Sequence, residues 1–500
     1  MAGRAPWIVL AVVAVGLGVA VAADSGAPAP PVGAAASHET PAAAAGKVCG
    51  TGSLRGPAKP PAGAVEVPAG DNSDVDFARP GTTYWLAPGT HTLGDDEFAQ
   101  IGPADDTTFV GAPGAVLDGR GVNRYAFGGN AAGVTIRHLT VRNFAAPRDE
   151  GVVNHDSGNR WRIEHNTFTR NKGAAMMAGS GQRIVGNCVA HNGQYGLNAY
   201  QAGNQLTGLL VEGNEFTGNN TDDWEAKVDG CGCTGAMKFW SVDGADIRGN
   251  WIHRNHGPGI WADTNNNDFL IEDNLIEAND AQAIFYEISY NATIRKNVLR
   301  RNTWREGRDF ADQDDWFPVG TVYLSEAGGE PRVQARTSVL EVTGNVFDNN
   351  WGGVVGWENS DRFCGTNTTS ECTLLVGEDE GDRCTGSAIE REPWYDDCRW
   401  KTQRLRIHDN TFILDADKVD DGCEPRFCAV HALVANVGTW PEWSPYHGRR
   451  VQQAITFRQD NRWYDNRYRG PWQWVGYEPG RYLTFDKWRA APYRQDPGSS

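Results

Sequence analysis

The chain has no sustained apolar period of 3.6 residues beyond its N-terminus, which excludes long amphipathic helices as its framework. It has no excess of positive charge. Its 46 Lys and Arg stand against 63 Asp and Glu, a formal net charge of −17. That balance excludes a generic nucleic-acid surface and leaves a strongly anionic partner only a local cationic site. The one long apolar run, residues 8–21, is short for a membrane span. Arg4 ahead of it and Ala20-Val21-Ala22 behind it predict a secretory signal over 1–23, the alternative being an uncleaved anchor. Residues 24–46, rich in Ala, Pro and Gly, read as a flexible tether. The expectation is a secreted, extracellular protein with no membrane span in its mature chain. Metal motifs are missing too. Cys231-Gly232-Cys233 has no second pair to complete a zinc site. The stretch 415–422 is dense in oxygen ligands but departs from EF-hand spacing. No resident cofactor is expected, with calcium kept open.

What is present is a repeat. Asn166, Asn187, Asn214, Asn250, Asn274, Asn297, Asn345, Asn410 and Asn461 are each followed, two residues on, by a bulky apolar side chain. Five residues after each comes a second asparagine, Asp415 being the one exception. Where nothing is inserted the spacing is 21, 24 or 23 residues. A unit this short cannot bury its apolar face alone and must stack on its copies. The 60 glycines and frequent Asn and Asp suit short strands joined by tight turns. The prediction is an all-β, single-stranded, right-handed parallel β-helix with loop insertions, its asparagines forming structural ladders at the corners.

Two stretches carry a resemblance. One runs from Pro80-Gly81-Thr82-Thr83-Tyr84-Trp85-Leu86 to Val116-Leu117-Asp118-Gly119, and the other is the set of asparagine units. Together they are similar to the pectate-lyase-like right-handed β-helix superfamily of secreted carbohydrate-active proteins. The resemblance implies the fold over about residues 64–480. It does not fix the reaction, because lyases, hydrolases, epimerases, esterases and non-enzymatic surface proteins share this fold.

On this reading 47–132 starts and caps the helix, 133–454 supplies the coils, and 455–500 is the last coil with an aromatic cap and tail. Insertions are expected at 221–235, 304–320, 361–400 and 417–426. The first, second and fourth enter at one place in the coil and should overhang the same edge as walls of a groove. Ten cysteines in an exported chain read as disulfides, with Cys364/Cys372, Cys384/Cys398 and Cys423/Cys428 as close pairs. The full connectivity stays open.

Aligning the second strand of each coil and taking alternate positions gives two outward columns. The first reads Asn198, Lys238, Trp261, Phe285 and Tyr323. The second reads His155, Ala178, Tyr200, Trp240, Asp263, Glu287 and Ser325, with Glu326 one residue beyond. Lys238, Asp263 and Glu287 then fall on adjacent coils, roughly 4.8 Å apart. Tryptophan and tyrosine beside carboxylates suit a sugar, whose C–H faces lie on rings while its hydroxyls bond to charge. Asp263 and Glu287 form the candidate acid/base pair of a glycoside hydrolase, with Lys238 tuning them. Trp240, Trp261, Tyr200, Tyr323, Glu326, His155 and Asn198 are candidate contacts to a polysaccharide substrate. The resemblance implies an alternative, a uronate lyase or C5 epimerase with Lys238 as base and calcium on the carboxylates. A non-catalytic glycan-binding solenoid is a third reading.

Overall fold

The structure is a computed structural model that describes residues 46–500 apart from 229, 367–371, 420–422, 425–426, 449–453 and 479. The expected signal and most of the tether therefore lie outside the described residues, as does part of the 417–426 insertion.

From the strand Gly151–Val153 onward each coil gives one short strand to each of three sheets, while the first three coils reach only two; among the described residues the sheets have 13, 13 and 11 strands. One coil shows the pattern: Val242–Arg248 enters the first sheet, Trp251–His253 the second and Ile260–Ala262 the third. Strands pair in parallel with the same strand of the next coil, and among the described strands only the C-terminal Tyr482–Leu483 returns antiparallel. The chain is a right-handed parallel β-helix. Among the described residues, no helix is long and apolar enough to cross a membrane.

Stacking in register builds the core one column at a time. Ile163, Ile184, Val211, Ile247, Ile271 and Ile294 succeed one another along the first sheet, and each is buried. β-branched side chains fill such a column because their stiff χ1 suits a pleated surface.

The asparagines form two buried ladders at successive corners. Asn250 Nδ2 donates to Asn274 Oδ1 at 3.0 Å and to the Val211 carbonyl of the preceding coil at 2.9 Å. Its own oxygen accepts the Asn214 backbone N–H at 2.9 Å. One side chain thus satisfies turn groups that burial would otherwise orphan. The last unit departs from the expected alignment. Asn461 opens a first-sheet strand and donates to the carbonyls of Thr402 and Ile455, while Asn466 takes the place on the ladder beside Asn410.

Disulfides pin the insertions: Cys231–Cys233, Cys364–Cys372, Cys384–Cys398 and Cys423–Cys428. A fifth, Cys49–Cys188, spans 139 residues and straps the N-terminal segment onto the second sheet. Glu215 reinforces that strap by accepting the backbone N–H groups of Val48 and Cys49. At the other end, Trp463 and Trp474 are buried, and Trp488 of the helix Phe485–Arg489 meets Trp463 edge-on at 5.9 Å.

Candidate functional site

The third sheet carries the chemistry on its outer face. The register pairs Asn198 with Lys238, Lys238 with Trp261, Trp261 with Phe285 and Phe285 with Tyr323, so the first column is contiguous. Ala262 pairs with Tyr286, which sets Asp263 and Glu287 side by side one residue later.

Two members of the second column do not belong to it. Met177 pairs with Asn198, so Ala178 lines up with Ala199 and is fully buried in the core. His155 stacks on Tyr125 with centroids 3.8 Å apart, four coils before Asp263 and so about 19 Å away. The register sets both residues level with Ala199, one residue short of Tyr200 and the rest of the column.

Lys238 Nζ sits 2.9 Å from Asp263 Oδ2, donates to the Gly232 carbonyl at 2.5 Å, and lies 4.0 Å from the Trp261 ring centroid. Asp263 Oδ1 accepts the Thr264 hydroxyl at 3.1 Å. Glu287 has a different environment. Its Oε2 accepts Trp261 Nε1–H at 3.2 Å, and its Oε1 meets the Arg362 guanidinium at 2.5 Å. Burial pushes the Glu287 carboxyl above its usual range. Arg362 opposes that and the charge of Asp263 adds to it.

Arg362 was not legible in the strand alignment, which contained no arginine near the carboxylates. It stands four residues past the strand Val354–Glu358, at the root of the 361–400 insertion, where no period reaches. The same guanidinium lies 3.6 Å from Glu326. Glu326 is not a substrate contact, contrary to expectation. Its side chain is fully buried and takes hydrogen bonds from the Ser325 hydroxyl and, at 2.5 Å, the Asn359 N–H. Burial raises its carboxyl to about 7, against the pull of Arg362.

The aromatic column is also more enclosed than the open platform expected. Trp261 is buried and packs against Gly232 of the 221–235 insertion, where an added Cβ would come within 3.0 Å of the ring. It stacks on Phe285 at 5.0 Å, and Phe285 on Tyr323 at 4.8 Å. Phe317 of the 304–320 insertion closes on Tyr323 at 6.0 Å. Asn198 is buried and braces a neighbouring loop through the Asp149 carbonyl at 2.9 Å. Tyr200 remains exposed and meets the half-buried Trp240 edge-on at 6.4 Å. The centre is largely enclosed. Lys238, Asp263, Glu287 and Arg362 keep 13%, 11%, 12% and 15% of their side-chain exposure.

The donors present do not make a cation cage. Each carboxylate of the pair already faces a cation of the protein, so calcium would have to displace Lys238 or Arg362. Among the described residues, the one cluster of three metal-type ligands is Cys364, Cys372 and Cys384, whose sulfurs are in disulfides. Asp415 pairs with Lys418 at 3.1 Å, and the rest of that acidic turn lies partly outside the described residues.

No curated protein matches the chain. Among solved structures it is similar to the A-module of mannuronan C-5 epimerase AlgE6 from Azotobacter vinelandii, at 14% identity and TM-score 0.36, over 60% of this chain and 80% of that one. It is also similar to the catalytic unit of the GH87 α-1,3-glucanase from Streptomyces thermodiastaticus strain HF3-3, at 12% identity and TM-score 0.42, over 92% and 70%. Residues 150–316 match the family model described as "Right handed beta helix region", the coils that carry Lys238, Asp263 and Glu287.

Proposed function

We propose that the chain is a polysaccharide-acting glycoside hydrolase, exported to an oxidising compartment where its five disulfides form. The observation that carries this reading is the unlike setting of two neighbouring carboxyls. Glu287 is buried against Trp261 with its pKa raised, which suits a general acid that protonates the glycosidic oxygen. Asp263, tied to Lys238 and the Thr264 hydroxyl, is the partner that acts as nucleophile or base. The two stand on adjacent coils, whose backbones lie roughly 4.8 Å apart, a spacing that suits the close carboxyl pair of retaining enzymes. Lys238 holds Asp263 in place, and Arg362 fixes the orientation of Glu287 while opposing the rise that burial causes.

A uronate lyase or epimerase is the second reading, and Arg362 is the observation that favours it, since it places a cation beside the pair. Against it, Lys238 is bound to both Asp263 and the Gly232 carbonyl, so it would have to leave both to act as a base.

The test uses residues 47–500 with dextran, starch, mixed-linkage β-glucan, xylan, galactomannan, polygalacturonate and alginate. Reducing ends and unsaturated-uronate absorbance are followed together. Hydrolysis predicts reducing ends alone, with Asp263→Asn and Glu287→Gln each lowering kcat by about 10²–10⁴-fold. Unsaturated products abolished by Lys238→Ala would replace it with elimination. Silence with intact glycan binding would leave a binding solenoid.

A further inference from the structure

Resting on the polysaccharide reading and deepening it, we propose that Trp440 and Trp443 form a second, distal subsite. It binds neutral sugar residues of a chain lying along the helix axis.

The loop that carries them follows the third-sheet strand Val430–Ala435, three coils beyond the strand Ile284–Glu287 and so about 14 Å along the axis. Trp440 is 49% exposed and Trp443 44%. Exposed large apolar side chains elsewhere stand singly on separate segments, as is ordinary. These two share one cavity of about 380 Å³ with Gly365, Thr366, Pro441 and Glu442. That volume falls within the range of about 300–1,000 Å³ typical of small-ligand sites.

The indoles are held from below. Asp361 Oδ1 accepts the backbone N–H groups of Thr439 at 2.8 Å and Trp440 at 3.0 Å, and its Oδ2 accepts the Thr439 hydroxyl at 3.0 Å. Phe363 packs edge-on against Trp443 at 6.2 Å. Between Asp361 and Phe363 stands Arg362, which grips Glu287. One short segment therefore holds both Glu287 and the loop of the two indoles. Two pre-positioned indoles suit the C–H faces of sugar rings, with Glu442 beside them for hydroxyls. The carboxylate of Glu442 disfavours a uronate at this point. On the opposite side of the pair, Tyr200 and Trp240 offer the matching aromatic surface.

Affinity electrophoresis through gels containing each of the seven polysaccharides named above tests this directly. The wild type should be retarded by at least one neutral polysaccharide. Trp440→Ala/Trp443→Ala should bind it about tenfold more weakly at an unchanged thermal midpoint, while Trp440→Phe/Trp443→Phe keeps part of the affinity. Glu442→Lys should add retardation by polygalacturonate or alginate. Equal retardation of wild type and double-alanine variant overturns the proposal, as does retardation by uronate polymers alone or by none. Retardation lost in the double variant, with no reducing ends released by the wild type, keeps the subsite and removes the hydrolase. Reducing ends with unchanged retardation do the reverse.

Discussion

Replacing Glu326 by glutamine tests the electrostatics of the centre without knowledge of the substrate. Glu326 is fully buried, and its carboxyl is raised from 4.5 to about 7 because burial outweighs the pull of Arg362 at 3.6 Å. A carboxyl with a raised folded-state pKa binds its proton more tightly folded than unfolded. Its contribution to stability is full below about pH 4.5 and is lost as the pH rises through about 7. At about 1.36 kcal/mol per pH unit, the loss amounts to roughly 3 kcal/mol. Glutamine keeps the shape, its oxygen can accept the Asn359 N–H, and its amide can donate to the Ser325 hydroxyl. Arg362 keeps Glu287 at 2.5 Å. Urea unfolding followed by tryptophan fluorescence from pH 4.5 to 8.5 should show curves that coincide at the acid end. They should diverge until Glu326→Gln is the more stable by up to roughly 3 kcal/mol at pH 8. Parallel curves, or a variant less stable at pH 8, would refute the assignment of a buried, proton-holding carboxyl.

Three further outcomes follow from the fold and the ion pairs. Asn250→Ala leaves the Asn214 N–H buried without its partner and takes a donor from the Val211 carbonyl, and should cost about 1–3 kcal/mol by equilibrium unfolding. Cys49→Ser with Cys188→Ser opens a loop closed over 139 residues, a loss of about 5 kcal/mol on the chain-entropy account, read from the urea midpoint. Lys238→Met strands the enclosed Asp263 carboxylate 2.9 Å from the missing ammonium. It should destabilise by about 3–5 kcal/mol and lower hydrolysis at least about 10²-fold in the reducing-end assay.

The fold was legible because it is redundant. Each asparagine serves the turn of one coil and the next coil's amide, so one requirement is written again and again into the chain. The last unit broke the pattern for a reason the chain alone conceals. Asn461 keeps the motif but occupies a different corner, and only strand pairing reveals which. Alternation likewise served the columns only where the register was counted correctly. It aligned Lys238, Asp263 and Glu287, and placed His155 and Ala178 one residue out, level with Ala199 instead of Tyr200.

The insertions account for the rest, and they change the chemistry as well as the shape. From the columns alone, Asp263, Glu287 and Glu326 form an acidic patch with one lysine. Arg362 converts that patch into three carboxyls facing two cations. With Glu287 in the acid form that its proposed role needs, the five groups carry one net positive charge while Glu326 is protonated and balance once it is ionised. Because that proton is held to about pH 7, the charge presented to substrate changes near neutrality. A uronate would then meet an added repulsion as the pH rises, and a neutral sugar would not. The pH dependence of binding by Glu287→Gln therefore separates the two substrate classes. Affinity for a neutral glycan should stay level from pH 6 to 8, and a fall confined to uronate polymers would show Glu326 acting through charge.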